Sequence, residues 1–338
     1  MKTLEDLKKS RRIIIKVGSA LLVEEQTGQV NTKWLKSLIN DIKVMHARGQ
    51  EVVLVSSGAI ALGRRFLGLP KGHLRLQESQ AAAATGMVRL AYAYQKTLDD
   101  CGLTLGQVLL TLDDSENRRR YINARNTLET LLKLKVVPLI NENDTVATDE
   151  IRFGDNDRLA ARVSAMISAD LLIILSHVDG LYDCDPIKNP NAKHLSEVRN
   201  EITKKIESMA DPAKSMDGSG GMITKLEAAR IALLSGTAMV IGDGTKDNPI
   251  SRIEEGARCT WFIPDSSPKT ARKNWILGTL SPSGTIVADN GALRALCDGK
   301  SLLPAGVRSV GGDFERGDAV IIESIEGKEI ARGLVAYS

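Results

Sequence analysis

The sequence predicts an α/β fold, with an open and mainly parallel sheet sandwiched by helices, followed by a small β-barrel-like domain. Short apolar runs alternate with longer segments of helical period, as expected for parallel strands joined by crossover helices. The chain has 338 residues, of which 43% are hydrophobic, enough for one large core and a smaller one. Beyond residue 263, short apolar stretches separated by Gly-rich turns indicate a different, all-β architecture.

The elements follow in order. Residues 13–17 form the first predicted strand, 32–48 a helix ended by Gly49, and 51–55 the second strand. A long helix is predicted around residues 81–98. Further strands are predicted at 105–110, 136–140, 171–175 and 238–241.

Composition excludes several classes of protein. A net charge of +3 is too small to favour nucleic acid or an anionic membrane as the main partner. The four cysteines are far apart and predict free thiols, not a zinc site. No stretch approaches the ~20 apolar residues of a membrane span. The sequence also lacks the pattern of a signal peptide. We expect a cytoplasmic protein.

Polar and Gly-containing motifs follow the predicted strands, where ligands bind in open parallel sheets. They are KVGS from Lys16, SSGAI from Ser56, NEND from Asn141, GDND from Gly154 and SHVDGLY from Ser176. A further loop, residues 218–225, leads into an apparent helix. Backbone N–H groups and the helix dipole would there face phosphate oxygens, and Lys225 would face the transferred group.

Each motif also has a plainer interpretation. Residues 218–221 could be a flexible connection. Asp155 and Asp157 could cap a helix beginning near Arg158, and the SSG turn at residues 56–58 could be a strand-to-helix turn with a serine as N-cap. Common nucleotide signatures are absent: residues 58–63 have P-loop spacing but no following Lys-Ser or Lys-Thr, and no Gly-rich segment carries the dinucleotide fingerprint. A hydride-transfer enzyme is therefore disfavoured.

Together, the motifs resemble the amino acid kinase family over nearly the whole chain, and specifically its branch that phosphorylates the side-chain carboxylate of glutamate. The segments that carry the resemblance are KVGS, SSGAIALG, NENDTVAT, GDNDRLAA and GGMITK, in family order. The resemblance implies conversion of L-glutamate and ATP to L-glutamyl 5-phosphate and ADP, the first step of proline biosynthesis. A same-fold kinase for aspartate or acetylglutamate is the alternative.

The resemblance also implies residue roles. Lys16 and Lys225 would stabilise the transferred phosphoryl group. Asp157 would hold the two lysines in place. The acceptor glutamate would be bound by Ser57, Asp144 and Asn156. The nucleotide would be contacted by Lys16, Gly18, Ser176, His177, Ser219, Gly220, Gly221, Met222, Ile223, Thr224 and Lys225. Mg²⁺ would arrive with ATP without a protein ligand, although Asp155 is a conceivable outer-shell contact.

The resemblance further implies feedback inhibition by proline and a homo-oligomer. One departure is His177, where the family usually has Asp. We expect ATP still to be used, with an altered nucleotide affinity.

We expect a kinase domain over residues 1–263, a linker at 264–274 and a second domain at 275–338. The second domain resembles a PUA domain, and we expect it to be shorter than the PUA domains of related kinases. PUA domains elsewhere bind RNA, which gives a second possible function. Six Lys or Arg and eight Asp or Glu from Trp275 onward give a net of −2, which disfavours RNA. The run Arg118 to Arg120, with Arg125, could be an RNA or phosphate patch, but a solvated helix face is preferred.

Overall fold

The computed structural model describes residues 7–24, 26–70, 72, 74–111, 114–115, 117–146, 156–186, 188–210, 221–268, 270–271 and 282–337. The strands are β1 Arg12–Val17, β2 Glu51–Ser56, β3 Leu105–Leu110, β4 Val137–Glu142, β5 Leu171–Ser176, β6 Leu181–Tyr182, β7 His194–Leu195, β8 Glu197–Arg199, β9 Ala238–Asp243, β10 Cys259–Ile263, β11 Gly284–Ala288, β12 Val307–Gly312, β13 Ala319–Glu323 and β14 Glu329–Leu334.

The helices are α1 Ser19–Leu22, α2 Thr32–Ala47, α3 Ala59–Phe66, α4 Leu76–Asp99, α5 Arg118–Lys133, α6 Asn156–Ile167, α7 Lys204–Glu207, α8 Met222–Leu234, α9 Pro249–Glu254 and α10 Asn290–Cys297. A short 3₁₀ helix spans Pro304–Gly306. Among the described residues, no helix combines the length and the apolar composition needed to cross a membrane.

The large sheet has eight strands in the order β3-β4-β2-β1-β5-β9-β10-β8. The six strands from β3 to β9 run parallel, whereas β10 is antiparallel to β9. The expected mainly parallel sheet is therefore confirmed. Because the central strands are parallel, their carboxyl ends lie at one edge, and Val17 is in register with both Ser56 and Leu175 there.

The central strands form where apolar runs are buried on both faces. In β1, Arg12–Val17, every residue after the first is buried, and the following predicted strands also lie within one or two residues of their expected bounds. Asn31 caps α2 by accepting a hydrogen bond from the Trp34 backbone N–H at 3.1 Å. Gly49 follows that helix with φ +80°, as expected from the sequence.

Helices cover both faces of the large sheet. One core lies between the sheet and α2, α4 and α9, and includes Ile13, Trp34, Leu90 and Ile250. The other lies between the sheet and α5, α6 and α8, and includes Ile14, Leu128, Val163 and Ala229. This is the sandwiched architecture that the sequence predicts. It brings α4 and α6 to opposite faces of the same strands.

A separate four-stranded sheet, β12-β11-β13-β14, follows in the chain. It meets the larger, N-terminal unit at α5, where a Cβ added to Gly317 would lie 2.4 Å from Ile122 Cδ1. A cavity of about 710 Å³ opens at this junction, lined by Arg119, Asn123, Glu315, Arg316, Ala336 and Tyr337. The strand-end motifs lie elsewhere in the molecule, so this cavity is not the site that they form.

Candidate active site

The strand-end motifs converge at the carboxyl edge of the large sheet. Lys16 is the penultimate residue of β1 and pairs in register with Val55 on one side and Ile174 on the other. Lys16 therefore lies on a central strand of the sheet, between β2 and β5. Residues from α6 and α8, which cover one face of that sheet, reach the same edge.

Asp157 is the centre of a buried ion-pair cluster. Its Oδ1 lies 2.6 Å from Lys16 Nζ, and its Oδ2 lies 3.1 Å from Lys225 Nζ. Asp157 is 0% exposed, and both lysines are 6% exposed. One carboxylate thus holds two ammonium groups from β1 and α8 beside each other.

The charge balance determines the ionisation of Asp157. Burial alone would raise the pKa of this carboxyl, but attraction to and hydrogen bonds from Lys16 and Lys225 hold its pKa below the ordinary value. The carboxylate is therefore ionised at neutral pH. With one carboxylate against two ammonium groups, the cluster carries a net positive charge that suits an anionic ligand.

Helix α8 is the helix that the sequence predicts after the Gly-rich segment 218–221, of which only Gly221 lies within the described residues. It begins at Met222 with Gly221 at the N-cap, where no side chain caps the helix. Thr224 Oγ1 lies 3.1 Å from Asp157 Oδ2 and 2.9 Å from the Gly221 carbonyl oxygen. The first turn of α8 is thereby tied to the same carboxylate that holds the lysines.

Asn156 organises a second, adjoining group of polar side chains. Its Nδ2 lies 2.8 Å from the Ser56 carbonyl oxygen, 3.0 Å from Ser57 Oγ and 2.9 Å from Asn141 Oδ1. Three acceptors around one amide nitrogen fix which end of the side chain carries the hydrogens. The other end, Asn156 Oδ1, is buried without a hydrogen-bond partner among the described residues.

The SSG turn is shaped by Gly58. This residue has φ +113° and occupies the N-cap of α3 without a side-chain cap, a backbone conformation that favours glycine. The alternative interpretation of a serine of this turn as the N-cap is therefore wrong. Ser57 instead has its hydroxyl beside Asn156, and its backbone N–H donates to the Val17 carbonyl at 3.0 Å.

Asp144 supplies a second carboxyl group near the end of β4. It is 6% exposed. Burial, together with the nearby charge of Glu142, raises the pKa of Asp144 to about 7. Such a carboxyl is costly to ionise in the free protein, and a cationic ligand would lower that cost.

Ser176 and His177 follow β5. Ser176 is half-buried, and its carbonyl accepts a hydrogen bond from the Gly244 backbone N–H at 2.8 Å. His177 is exposed. Gly18, the N-cap of α1, lies directly after β1, where an added Cβ would come no closer than 3.9 Å to the Leu175 carbonyl oxygen.

The structure places Lys16, Asp157 and Lys225 in one cluster and Ser57 with Asn156 in a second, and adjacent positions in α6 link the two. Ser219 and Gly220 of the expected nucleotide loop, and Gly154 and Asp155 of the GDND motif, lie outside the described residues. Asn141 was assigned no role from the sequence, although it is buried and its Oδ1 accepts hydrogen bonds from both Asn156 and the Glu142 backbone N–H. The signal was available, because Asn141 stands at a strand end within a polar motif.

The part of the chain that is described contains no group of three or more His, Cys, Asp or Glu side chains arranged to hold a metal ion. The acidic residue at the centre of the site, Asp157, already has an ammonium group against each carboxylate oxygen.

Comparison with known proteins gives two family matches. Residues 11–243 match the amino acid kinase family, and residues 284–338 match the PUA domain. The chain is similar to the glutamate 5-kinase of Paramagnetospirillum magneticum, with 60% identity over 97% of this chain and 88% of the relative. It is similar to the glutamate 5-kinase of Brucella abortus, with 58% identity over 99% of this chain and 88% of the relative.

Solved structures share the fold at much lower identity. The carbamate kinase of Giardia lamblia bound to AMP-PNP matches with a TM-score of 0.53 and 14% identity, over 76% of this chain and 100% of that chain. The UMP kinase of Ureaplasma parvum matches with a TM-score of 0.51 and 17% identity, over 75% of this chain and 98% of that chain.

Proposed function

The chain belongs to the amino acid kinase family and, within it, to the glutamate 5-kinases, and from this premise we propose how its residues divide the reaction. The enzyme phosphorylates the side-chain carboxylate of L-glutamate with ATP, in proline biosynthesis. An oxygen of that carboxylate forms a bond to the γ-phosphorus, the bond from this phosphorus to the β–γ bridging oxygen breaks, and ADP leaves. Aspartate and acetylglutamate, the alternative acceptors, are not favoured by these relatives.

The observation that carries the proposal is the position of Asp157 between two lysines. The acceptor carboxylate is ionised near pH 7 and needs no general base. The main obstacle is therefore repulsion between two anions, and catalysis depends on cations held where charge develops. Lys16 and Lys225 meet this need, and Asp157, at 2.6 and 3.1 Å from them, keeps the two ammonium groups together.

The acceptor site is assigned to Ser57, Asn156 and Asp144. The Ser57 hydroxyl accepts from Asn156, so its own proton is available to donate to a glutamate carboxylate. The buried Asn156 Oδ1 needs a donor, because an unsatisfied buried acceptor is costly. The α-ammonium of glutamate is a donor of the right kind for Asn156 Oδ1 and for the Asp144 carboxylate.

The nucleotide is assigned to the lysines, Gly18, Ser176, His177 and the loop before α8. Gly221 and the first turn of α8 offer backbone N–H groups at a helix N-terminus, which is where phosphates bind. Ser219 and Gly220 are included on family resemblance alone.

Magnesium is proposed to enter as MgATP, held by phosphate oxygens and water. The site fits this mode of binding, because Asp157 is engaged by two ammonium groups and is not free to bind a cation. Magnesium supplies charge neutralisation on the phosphates when bound. Proline as a feedback inhibitor, a homo-oligomer, a cytoplasmic location and the domain boundaries at residues 263 and 275 stay predictions.

An acceptor panel tests the acceptor assignment. ADP release from MgATP is measured with L-glutamate, L-aspartate and N-acetyl-L-glutamate, with hydroxylamine present to trap the acyl phosphate. Turnover with L-glutamate and rates at least about a hundredfold lower with the other two acceptors are expected, because each loses a contact in a site built to hydrogen-bond the substrate. Turnover with N-acetylglutamate equal to that with glutamate would count against the assigned ammonium contacts.

A further inference from the structure

Tyr94 is a buried titratable group to which the reaction scheme assigns no role. It lies on α4 and is 0% exposed. Burial raises the pKa of its phenol well above the ordinary value, so the hydroxyl keeps its proton. A buried hydroxyl is costly unless it is hydrogen-bonded, and the Tyr94 hydroxyl lies 3.1 Å from Ser56 Oγ. Ser56 is the residue before the acceptor-binding Ser57.

The direction of this hydrogen bond follows from counting protons. Ser56 Oγ also lies 3.1 Å from the Ser57 carbonyl oxygen, to which it donates. A hydroxyl has one proton to give. If Ser56 gave its proton to Tyr94, the buried tyrosine proton would be left without this acceptor. The arrangement that uses both protons runs from Tyr94 to Ser56 and from Ser56 to the Ser57 carbonyl.

The chain of hydrogen bonds ends on the residue that presents the substrate-binding hydroxyl. The Ser57 carbonyl receives the Ser56 proton, and the Ser57 N–H donates to Val17 at 3.0 Å. Its hydroxyl accepts from Asn156 at 3.0 Å. The peptide groups on both sides of Ser57 are thereby held, which fixes where its Oγ lies.

Helix α4 is locked to the same turn by close packing against α3. A Cβ added to Gly86 of α4 would lie 1.8 Å from the carbonyl oxygen of Ala59, the first residue of α3. A Cβ added to Gly63 would lie 1.8 Å from the Ala82 carbonyl oxygen. Because the two backbones touch at these glycines, α4 holds a fixed register against the turn that precedes α3.

A second side chain of α4 contacts the acceptor site. Met87 precedes Tyr94 by seven residues, two helical turns, so both lie on one face. The Asn141 Nδ2 atom lies 3.5 Å from Met87 Sδ, and Asn141 Oδ1 accepts from Asn156. The same face of α4 therefore contacts Ser56 and Asn141, two of the three residues that accept hydrogen bonds from Asn156.

We propose that Tyr94 is a positioning residue for the phosphoryl acceptor: its hydroxyl, acting through Ser56, fixes the Ser57 peptide and so the hydroxyl that receives glutamate. Tyr94 does not touch the substrate. This inference rests on the proposed acceptor site. It predicts that the tyrosine oxygen affects glutamate binding and leaves ATP binding unchanged.

The test uses Tyr94→Phe in the full chain, assayed by ADP release with MgATP and L-glutamate. We expect KM for glutamate to rise about 3- to 10-fold, the worth of one ordinary hydrogen bond, with KM for ATP within about twofold of the parent. Ser56→Ala should give the same change. The double variant should show no larger change than either single variant, because both hydroxyls act in one chain.

Thr97→Val is the matched control. Thr97 is a buried residue of the same helix, and its hydroxyl donates to the Ala93 carbonyl at 2.8 Å, whereas the hydroxyl of Ser56 pairs with Tyr94. Loss of the Thr97 hydroxyl should lower Tm without changing KM for glutamate. If Thr97→Val raises KM for glutamate as much as Tyr94→Phe does, Tyr94 has only a structural role and the inference is overturned.

Ser57→Ala separates this inference from the acceptor site on which it rests. An increased KM for glutamate in Ser57→Ala with parent values in both Tyr94→Phe and Ser56→Ala overturns the role of Tyr94 and keeps the acceptor site. An unchanged KM in Ser57→Ala overturns both.

Discussion

Asn156 and Asp157 are neighbours in the chain, yet their side chains belong to two different halves of the site. Asn156 lies 3.0 Å from Ser57 Oγ, whereas Asp157 lies 2.6 Å from Lys16 Nζ. Both residues begin α6, so the helix N-terminus holds the two groups of side chains, proposed to bind the acceptor and the transferred phosphoryl group, at one fixed spacing. Correct spacing of two reactants is itself a large part of catalysis.

Replacement of Lys225 by Met should reduce kcat by about 10²- to 10³-fold, because one buried cation aimed at the developing charge is lost. Tm should also fall, since Asp157 then keeps a single buried ammonium partner. Steady-state kinetics and a thermal melt measure the two effects. Lys33→Met is the control, because Lys33 is 86% exposed and pairs at the surface with Asp247. A kcat within tenfold of the parent for Lys225→Met would contradict the assigned role.

The pH dependence of glutamate binding should follow Asp144. Its pKa of about 7 means that the carboxylate is lost as pH falls through 7. At saturating MgATP, kcat/KM for glutamate should therefore fall as pH is lowered from 8 to 6, approaching tenfold per pH unit. The ionisable groups of glutamate do not titrate in this range. Glu142→Gln should move the midpoint to lower pH because it removes a neighbouring negative charge. A flat profile in both proteins would exclude this assignment.

Asp144→Asn should raise the folding stability of the protein and weaken its binding of glutamate. The folded state raises the pKa of Asp144 from 3.8 to about 7, so the folded protein binds this proton more tightly than the unfolded chain does. Stability is therefore lost as pH rises from about 4 to about 7. The Asn variant avoids this loss and should gain on the order of 1–3 kcal/mol at pH 8. Its KM for glutamate should rise about tenfold or more.

Denaturant unfolding of Asp144→Asn at pH 8 and at pH 4 provides the check. The gain over the parent should be present at pH 8 and should shrink towards pH 4, where the parent carboxyl is protonated in the folded state. An equal gain in stability at pH 8 and pH 4 would mean that the charge of the Asp144 carboxylate is not the cause of the gain.

His177→Asp should change KM for ATP by about two- to fivefold, as expected when a partly exposed hydrogen-bond acceptor is restored beside the nucleotide. KM for glutamate should stay unchanged. His177 is exposed and follows Ser176, so the substitution should fold normally. An unchanged KM for ATP would mean that the side chain at this position faces solvent and does not affect the nucleotide.

The sequence predicts the central strands and a helix after Gly221, because apolar runs and glycines report local structure directly. It did not predict β10, Cys259–Ile263, which runs antiparallel to β9, because strand direction depends on where the chain returns. The contact of Tyr94 with Ser56 was equally hidden. A tyrosine on the apolar face of a helix is ordinarily a core residue. Only the folded structure shows which residue its hydroxyl hydrogen-bonds.

The ion-pair cluster was predicted in part: the sequence indicates its residues, but not their contacts. Lys16, Asp157 and Lys225 are far apart in the chain, and their assignment rests on family resemblance. The structure adds that both lysines contact one buried carboxylate, which motif spacing does not specify.

Matched variants at positions 156 and 157 test the division of the site most directly. Asn156→Ala, Asp157→Asn and the control Arg158→Gln, which alters a half-exposed pair with Glu227 at 3.7 Å, are compared by kcat and both KM values. Asn156→Ala should raise KM for glutamate about tenfold or more, and Asp157→Asn should lower kcat about 10²- to 10³-fold with KM for glutamate nearly unchanged. If both variants change the same parameter by similar factors, the two neighbours do not serve separate halves of the site.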